Sequence, residues 1–149
     1  MKRILAAVDT SDMSGRVVEE AAKLAQLSGA EVNVLHVMSD EEASVMLEMH
    51  AKQETKHAHD WMQPEEKAVR VAEEAAAALK KAGVQHKAFG AVGDGRQVIL
   101  DFSKEHNADV IVVGFQGLHG LGKVRALGSV SRGVLEDADC PVLIVPSLK

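Results

Sequence analysis

The chain has 149 residues, 46% of them apolar and 26% charged, and Lys plus Arg (17) against Asp plus Glu (22) leave a net charge of −5. That balance is globular rather than disordered, and its mild acidity argues against generic DNA or RNA binding, which rests on neutralising phosphates. Cys140, the only cysteine, excludes an internal disulfide and any cysteine-based zinc or iron–sulfur site, and fits a reducing compartment.

The first apolar run, Ile4 to Val8, is continuous and stops at Asp9. It predicts a strand, and it is shorter than the ~7 residues that the apolar part of a signal peptide needs. No run approaches the ~20 apolar residues of a membrane helix, so a cytoplasmic protein without membrane insertion is expected. Residues 12–28 place Val17, Ala21, Leu24 and Ser28 on one helical stripe, with Val18, Ala22 and Ala25 beside it and Gly29 as a stop. Residues 32–37 form a second strand candidate. Residues 39–63 fit neither a strand nor a clean amphipathic helix. They read as a variable insert, partly helical from Ala43 to Lys52, carrying Met46, Met49, Trp61, Met62, His50, His57 and His59. His57 and His59 would face apart on a helix, which disfavours a metal site.

Residues 64–82 open with Pro64, Glu65 and Glu66 and close with Lys80 and Lys81 before Gly83, the charge order a helix dipole favours. His86 to Val92 is a more polar strand candidate suited to a sheet edge. A helix is predicted over 95–106, a strand over 110–113, a helix over 129–138 and a last strand over 142–145. The near-continuous apolar strands and intervening helices predict one α/β domain, residues 1–149. Its sheet is doubly wound and open, with five mainly parallel strands flanked by helices.

In such sheets ligands bind beyond the carboxyl ends of the strands, where strand order reverses. Two loops suit that place: Asp9 to Asp12, and Gly114 to Ser131. Gly114, Gly117, Gly120, Gly122 and Gly128 crowd the second loop. Gly128-Ser129 opens a helix whose free N–H groups favour an anion. Ser129 and Ser131 add hydroxyl donors there, and His119, Lys123 and Arg125 lie in the same loop. Asp9 has two readings: a carboxylate capping the helix that starts near Ser11, or a contact to the sugar or base end of a ligand, since it would repel phosphate. Cys140 before Pro141 reads as a structural thiol, and His36 as a packed strand residue. No Walker-type phosphate loop and no acidic pair marking a metal site is present.

At this point the chain resembles the universal stress protein (UspA) family. The likeness rests on Lys2-Arg3-Ile4-Leu5 with Val8-Asp9-Thr10-Ser11, on His36-Val37, and on Ala108-Asp109 leading into Val110 to Gly114. It is strongest at Gly128-Ser129-Val130-Ser131 and Cys140-Pro141 before Val142 to Val145. The resemblance implies the family's UspA-like, Rossmann-type fold. From the nucleotide-binding branch it implies a phosphate loop at Gly114, Gln116, Gly117, Gly128, Ser129, Val130 and Ser131. Asp9 would approach the adenine or ribose, and Ala7 and Val37 would line the base pocket. The implied ligand is ATP (or AMP or ADP), with or without Mg2+. The implied role is regulatory, in stress response, without catalysis beyond slow hydrolysis, in a homodimer joined through strand 142–145. The alternatives are a dimeric interaction module that binds no nucleotide, and a slow hydrolase. Residues 118–127 make this loop one residue longer than the family's spacing, and Gly95 stands where the family often has proline.

Overall fold

The computed structural model describes residues 1–52, 62–116 and 126–146. In chain order the elements are β1 (Arg3–Val8), α1 (Met13–Ser28), β2 (Glu31–Met38), α2 (Asp40–Lys52), α3 (Pro64–Lys81), β3 (His86–Val92), α4 (Gly95–Glu105), β4 (Val110–Gly114), α5 (Ser129–Asp137) and β5 (Val142–Val145). The five strands form one sheet in the order β3-β2-β1-β4-β5, and every strand pairing is parallel. Strand order reverses between β1, the central strand, and its neighbour β4.

The sheet has two apolar faces because its strands alternate between two sets of helices. Ile4, Ala6 and Val8 of β1 join Val32 and Val34 of β2 in a core with Val17, Val18 and Ala21 of α1 and Ala72, Ala76 and Leu79 of α3. Leu5, Leu35, Ile111 and Val113 face the other way, against Ile99 and Leu100 of α4 and Val134 of α5. With few aromatics available, close approach does part of the packing. Gly90 of β3 lies so near α3 that an added Cβ would fall within the backbone of Val69 and Ala68, 2.8 Å from the Ala68 Cβ.

Helix ends follow the sequence signals. Gly29 takes φ 76° after α1 and donates its N–H to the Ala25 carbonyl, an αL termination that favours glycine. Pro64 stands at the start of α3, with Glu65 and Glu66 in its first turn and Lys80 and Lys81 in its last. At the amino ends of two interior strands, the Asp109 carboxylate accepts the N–H groups of Lys2 (2.7 Å) and Arg3 (2.9 Å), tying the start of β1 to that of β4.

Two expectations change. Ser28 does not belong to the buried stripe of α1: it is exposed, and its hydroxyl bonds back to the Leu24 carbonyl. The segment after β2 is helical from Asp40 onward rather than from Ala43. The reason is a cap: Ser39 Oγ accepts the Glu42 N–H at 3.1 Å, and three acidic residues fill the first turn. β3 is an edge strand, as its polarity suggested, and its residues are at best half-buried. Trp61, His57 and His59 lie outside the described residues. Among the described residues no helix is long and apolar enough to cross a membrane.

Candidate functional site

The carboxyl ends of β1, β2 and β4 open into a cavity of about 270 Å³ at the reversal of strand order. One wall is apolar: Ala7, Leu35 and Val37 from the sheet face covered by α4, with Ile99 of α4 itself.

The turn after β1 is organised by Asp9. Its Oδ1 accepts the Ser11 backbone N–H at 2.8 Å and the Ser11 hydroxyl, and Ser14 Oγ lies 3.2 Å away. Ser14 Oγ also donates to the Asp9 carbonyl at 2.6 Å and accepts the Asp9 N–H at 2.9 Å. Asp9 therefore folds its own loop as an Asx turn instead of capping α1 directly; the residue at the N-cap is Asp12, whose side chain makes no cap bond. Beside it, His36 is 5% exposed and its Nδ1 lies 2.8 Å from the Val8 carbonyl. A carbonyl only accepts, so that nitrogen carries the proton.

On the other side, the exit of β4 and the start of α5 are held together. Phe115 donates its N–H to Val145 and accepts that of Gly128, both at 2.8 Å. Gln116 Nε2 donates to the Ala126 carbonyl at 2.8 Å. Ser131 Oγ donates to the Gly114 carbonyl at 2.7 Å. In this geometry the hydroxyl proton of Ser131 goes to the backbone rather than into the cavity, unlike its expected role as a phosphate donor.

Four helices start at this rim, and three are capped from within. Ser11 Oγ accepts the Met13 N–H at 3.3 Å for α1, Ser39 caps α2, and Asp94 Oδ2 accepts the Gln97 N–H at 3.1 Å for α4. In α5 the first helical bond runs from the Arg132 N–H to the Gly128 carbonyl at 2.8 Å. The N–H groups of Ser129, Val130 and Ser131 precede it; among the described residues they receive no side-chain cap, and the first turn holds no acidic side chain. These residues line the cavity. Among the described residues at the rim, the positive end of α5 is the helix start that an external anion would suit.

Of the residues expected from sequence, Ala7, Asp9, Val37, Gly114, Gln116, Gly128, Ser129, Val130 and Ser131 all line this one cavity. Gly117, His119, Lys123 and Arg125 lie outside the described residues. The sequence reading missed Met13 and Ser14 of α1, Ser39 and Glu42 at the start of α2, and Gly93 after β3 with Gly95 opening α4. A Ser-x-x-Glu spacing at Ser39 and Glu42 was the available signal for the second pair. Among the described residues no group of three or more His, Cys, Asp or Glu side chains is arranged to hold a metal ion.

The model of the universal stress protein family matches residues 1–146. Universal stress protein YxiE of Bacillus subtilis is 34% identical over 145 residues, covering 96% of this chain and 97% of that protein. A universal stress protein solved in complex with cAMP superposes with a TM-score of 0.67 at 25% identity, over 99% of this chain and 98% of the other. The universal stress protein of Archaeoglobus fulgidus in complex with dAMP gives a TM-score of 0.60 at 27% identity, over 97% and 96%. Sequence and fold agree along nearly the whole length, and the chain belongs to the universal stress protein family.

Proposed function

We propose that this protein binds an adenine nucleotide in the cavity between β1, β4 and α5 and acts as a regulatory module of the stress response. The observation that carries this reading is the N-terminus of α5, without a side-chain cap among the described residues, at the rim of a cavity with an apolar wall. A phosphate on the N–H groups of Ser129, Val130 and Ser131 would satisfy donors that have no side-chain cap among the described residues. A base then lies against Ala7, Val37 and Ile99, and the Asp9 carboxylate meets the ribose hydroxyls. The complexes of related proteins with cAMP and dAMP support the adenine class.

ATP is the ligand proposed for the full site, with AMP and ADP sharing its base and first phosphate. A Mg2+ ion would be carried by the phosphates and water, a common arrangement for that cation. Binding without rapid turnover is the proposed mode: the Asp9 carboxylate and the Ser11 and Ser14 hydroxyls bond one another, which supports a structural use of these groups rather than activation of water. A homodimer is proposed through β5, an edge strand on which Leu143 is 37% exposed.

The test is to denature the purified protein, identify released nucleotides by mass spectrometry, and titrate the emptied protein with ATP, ADP, AMP, dAMP and cAMP by calorimetry. Ser129→Pro removes one N–H of the cradle at a helical position where proline is tolerated, after a Gly128 already extended at ψ 150°. Weaker binding in this variant, with folding intact, supports the reading. A protein that ignores all five ligands at millimolar concentration refutes it.

A further inference from the structure

A second cavity, of about 230 Å³, opens at the opposite end of the sheet, where β1, β2 and β3 begin and α4 ends. Its floor is Asn33 of β2. The register places Asn33 between Leu5 of β1 and Lys87 of β3, on the face that α4 covers. Asn33 is only 6% exposed. Among the described residues nothing donates to its side-chain oxygen or accepts from its amide nitrogen. A buried amide left without partners is destabilising, so such groups mark a place where something else supplies the bonds.

The walls carry opposite charges on opposite sides. On the strand side stands the Lys87 ammonium, and on the helix side the Glu105 carboxylate, beside the negative end of α4. Neither forms an ion pair among the described residues, whereas the remaining charged lining residues, Arg3 and Glu31, pair with each other at 3.5 Å. Between the two sides is an aromatic surface. Phe89 meets His106 edge-on at 5.3 Å, and His106 stacks on Phe102 at 3.8 Å. The His106 ring is fixed by its Nδ1, 3.1 Å from the Phe102 carbonyl.

We propose that this cavity binds a small zwitterion of the free α-amino-acid class. The carboxylate is held by Lys87 and the Asn33 amide N–H2, and the ammonium by Glu105 and the carbonyl end of α4. The ammonium and the adjoining carbons pack on the faces of Phe89 and His106. A simple anion would meet Glu105 and the helix end, and a simple cation would meet Lys87. Only a molecule carrying both charges is matched by both walls. The site is separate from the nucleotide cavity, which lies at the other ends of β1 and β2, and it does not depend on that reading.

The experiment is a thermal-shift screen of the intact protein with each of the twenty free amino acids at millimolar concentration. Any hit is followed by calorimetry on the wild type, Asn33→Leu, Lys87→Met and Glu105→Gln. One or more amino acids should raise the melting temperature, while the matched amine and the matched carboxylic acid should not. Each substitution should weaken binding about tenfold or more, the cost of losing a hydrogen bond to a charged group. Asn33→Leu should unfold in urea at the same concentration as the wild type or a higher one, because it removes an unsatisfied amide. Absence of any hit overturns the proposal. So does binding that survives all three substitutions, or an Asn33→Leu protein that is less stable and still binds.

Discussion

The Ser131 hydroxyl donates to the Gly114 carbonyl at 2.7 Å, joining the last residue of β4 to the first turn of α5 across seventeen positions of sequence. This bond sets where the open N–H groups of α5 stand relative to the sheet. Ser131→Ala removes it and leaves a half-buried carbonyl. It should cost about 1 kcal/mol in urea unfolding and weaken nucleotide binding several-fold. An unchanged affinity would show that the helix start is held by the Phe115–Gly128 bond alone.

Asp9 separates its two roles by substitution. Asp9→Asn keeps an oxygen to accept the Ser11 N–H and should hold the turn while losing the charge offered to the ribose. Asp9→Ala loses both, at about 1 kcal/mol or more of stability for the broken turn. The expected order of affinity in calorimetry is wild type, Asp9→Asn, then Asp9→Ala. Equal affinity in all three would remove Asp9 from the binding site.

Two glycines test the packing of the sheet. Gly90→Ala places a methyl into the backbone of α3, which cannot yield, and should destabilise by about 2 kcal/mol or more. Gly133→Ala places one against the Arg96 side chain, which can swing away. That swing loosens only the exposed Arg96–Asp137 pair, worth little, while alanine gains roughly 1 kcal/mol of helix propensity. Urea midpoints should fall for the first variant and stay level or rise for the second.

Asp109 gives an acid-side signature. The backbone N–H groups of Lys2, then Arg3, hold its carboxyl below the usual carboxylate range. A depressed native value means the stabilisation is present above the unfolded value of about 3.9 and is lost as pH falls through the lower native one. Asp109→Asn should therefore lower stability near neutral pH and flatten the fall on the acid side. Urea midpoints measured from pH 7 to pH 3 check this; parallel curves for the two proteins would contradict it.

The strands were legible because both faces of the sheet are covered, so Ile4 to Val8 and Val110 to Val113 read as unbroken apolar runs. The helix after β2 was legible only in part. Val45, Leu47 and Met49 are about half-exposed, so its apolar residues do not fall on one stripe, and the information lay in the Ser39 cap instead. In the site, Asp9 and the Gly128 to Ser131 stretch were marked by position after a strand and before a helix, and by family resemblance. Gly93 and Gly95 were not, because their place at the rim exists only once β3 pairs with β2 in parallel. The partner of the Ser131 hydroxyl belongs to another element, which no local pattern announces.

The paired bonds at Phe115–Gly128 and Gln116–Ala126 have a bearing on how the chain tolerates changes of length between them. They form a hinge-free base on which the chain leaves and returns at one spot. Closing a loop on such a base costs only logarithmically more as residues are added. Changes of length between its two feet should therefore cost little, while the exit of β4 and the start of α5 behind them keep their positions.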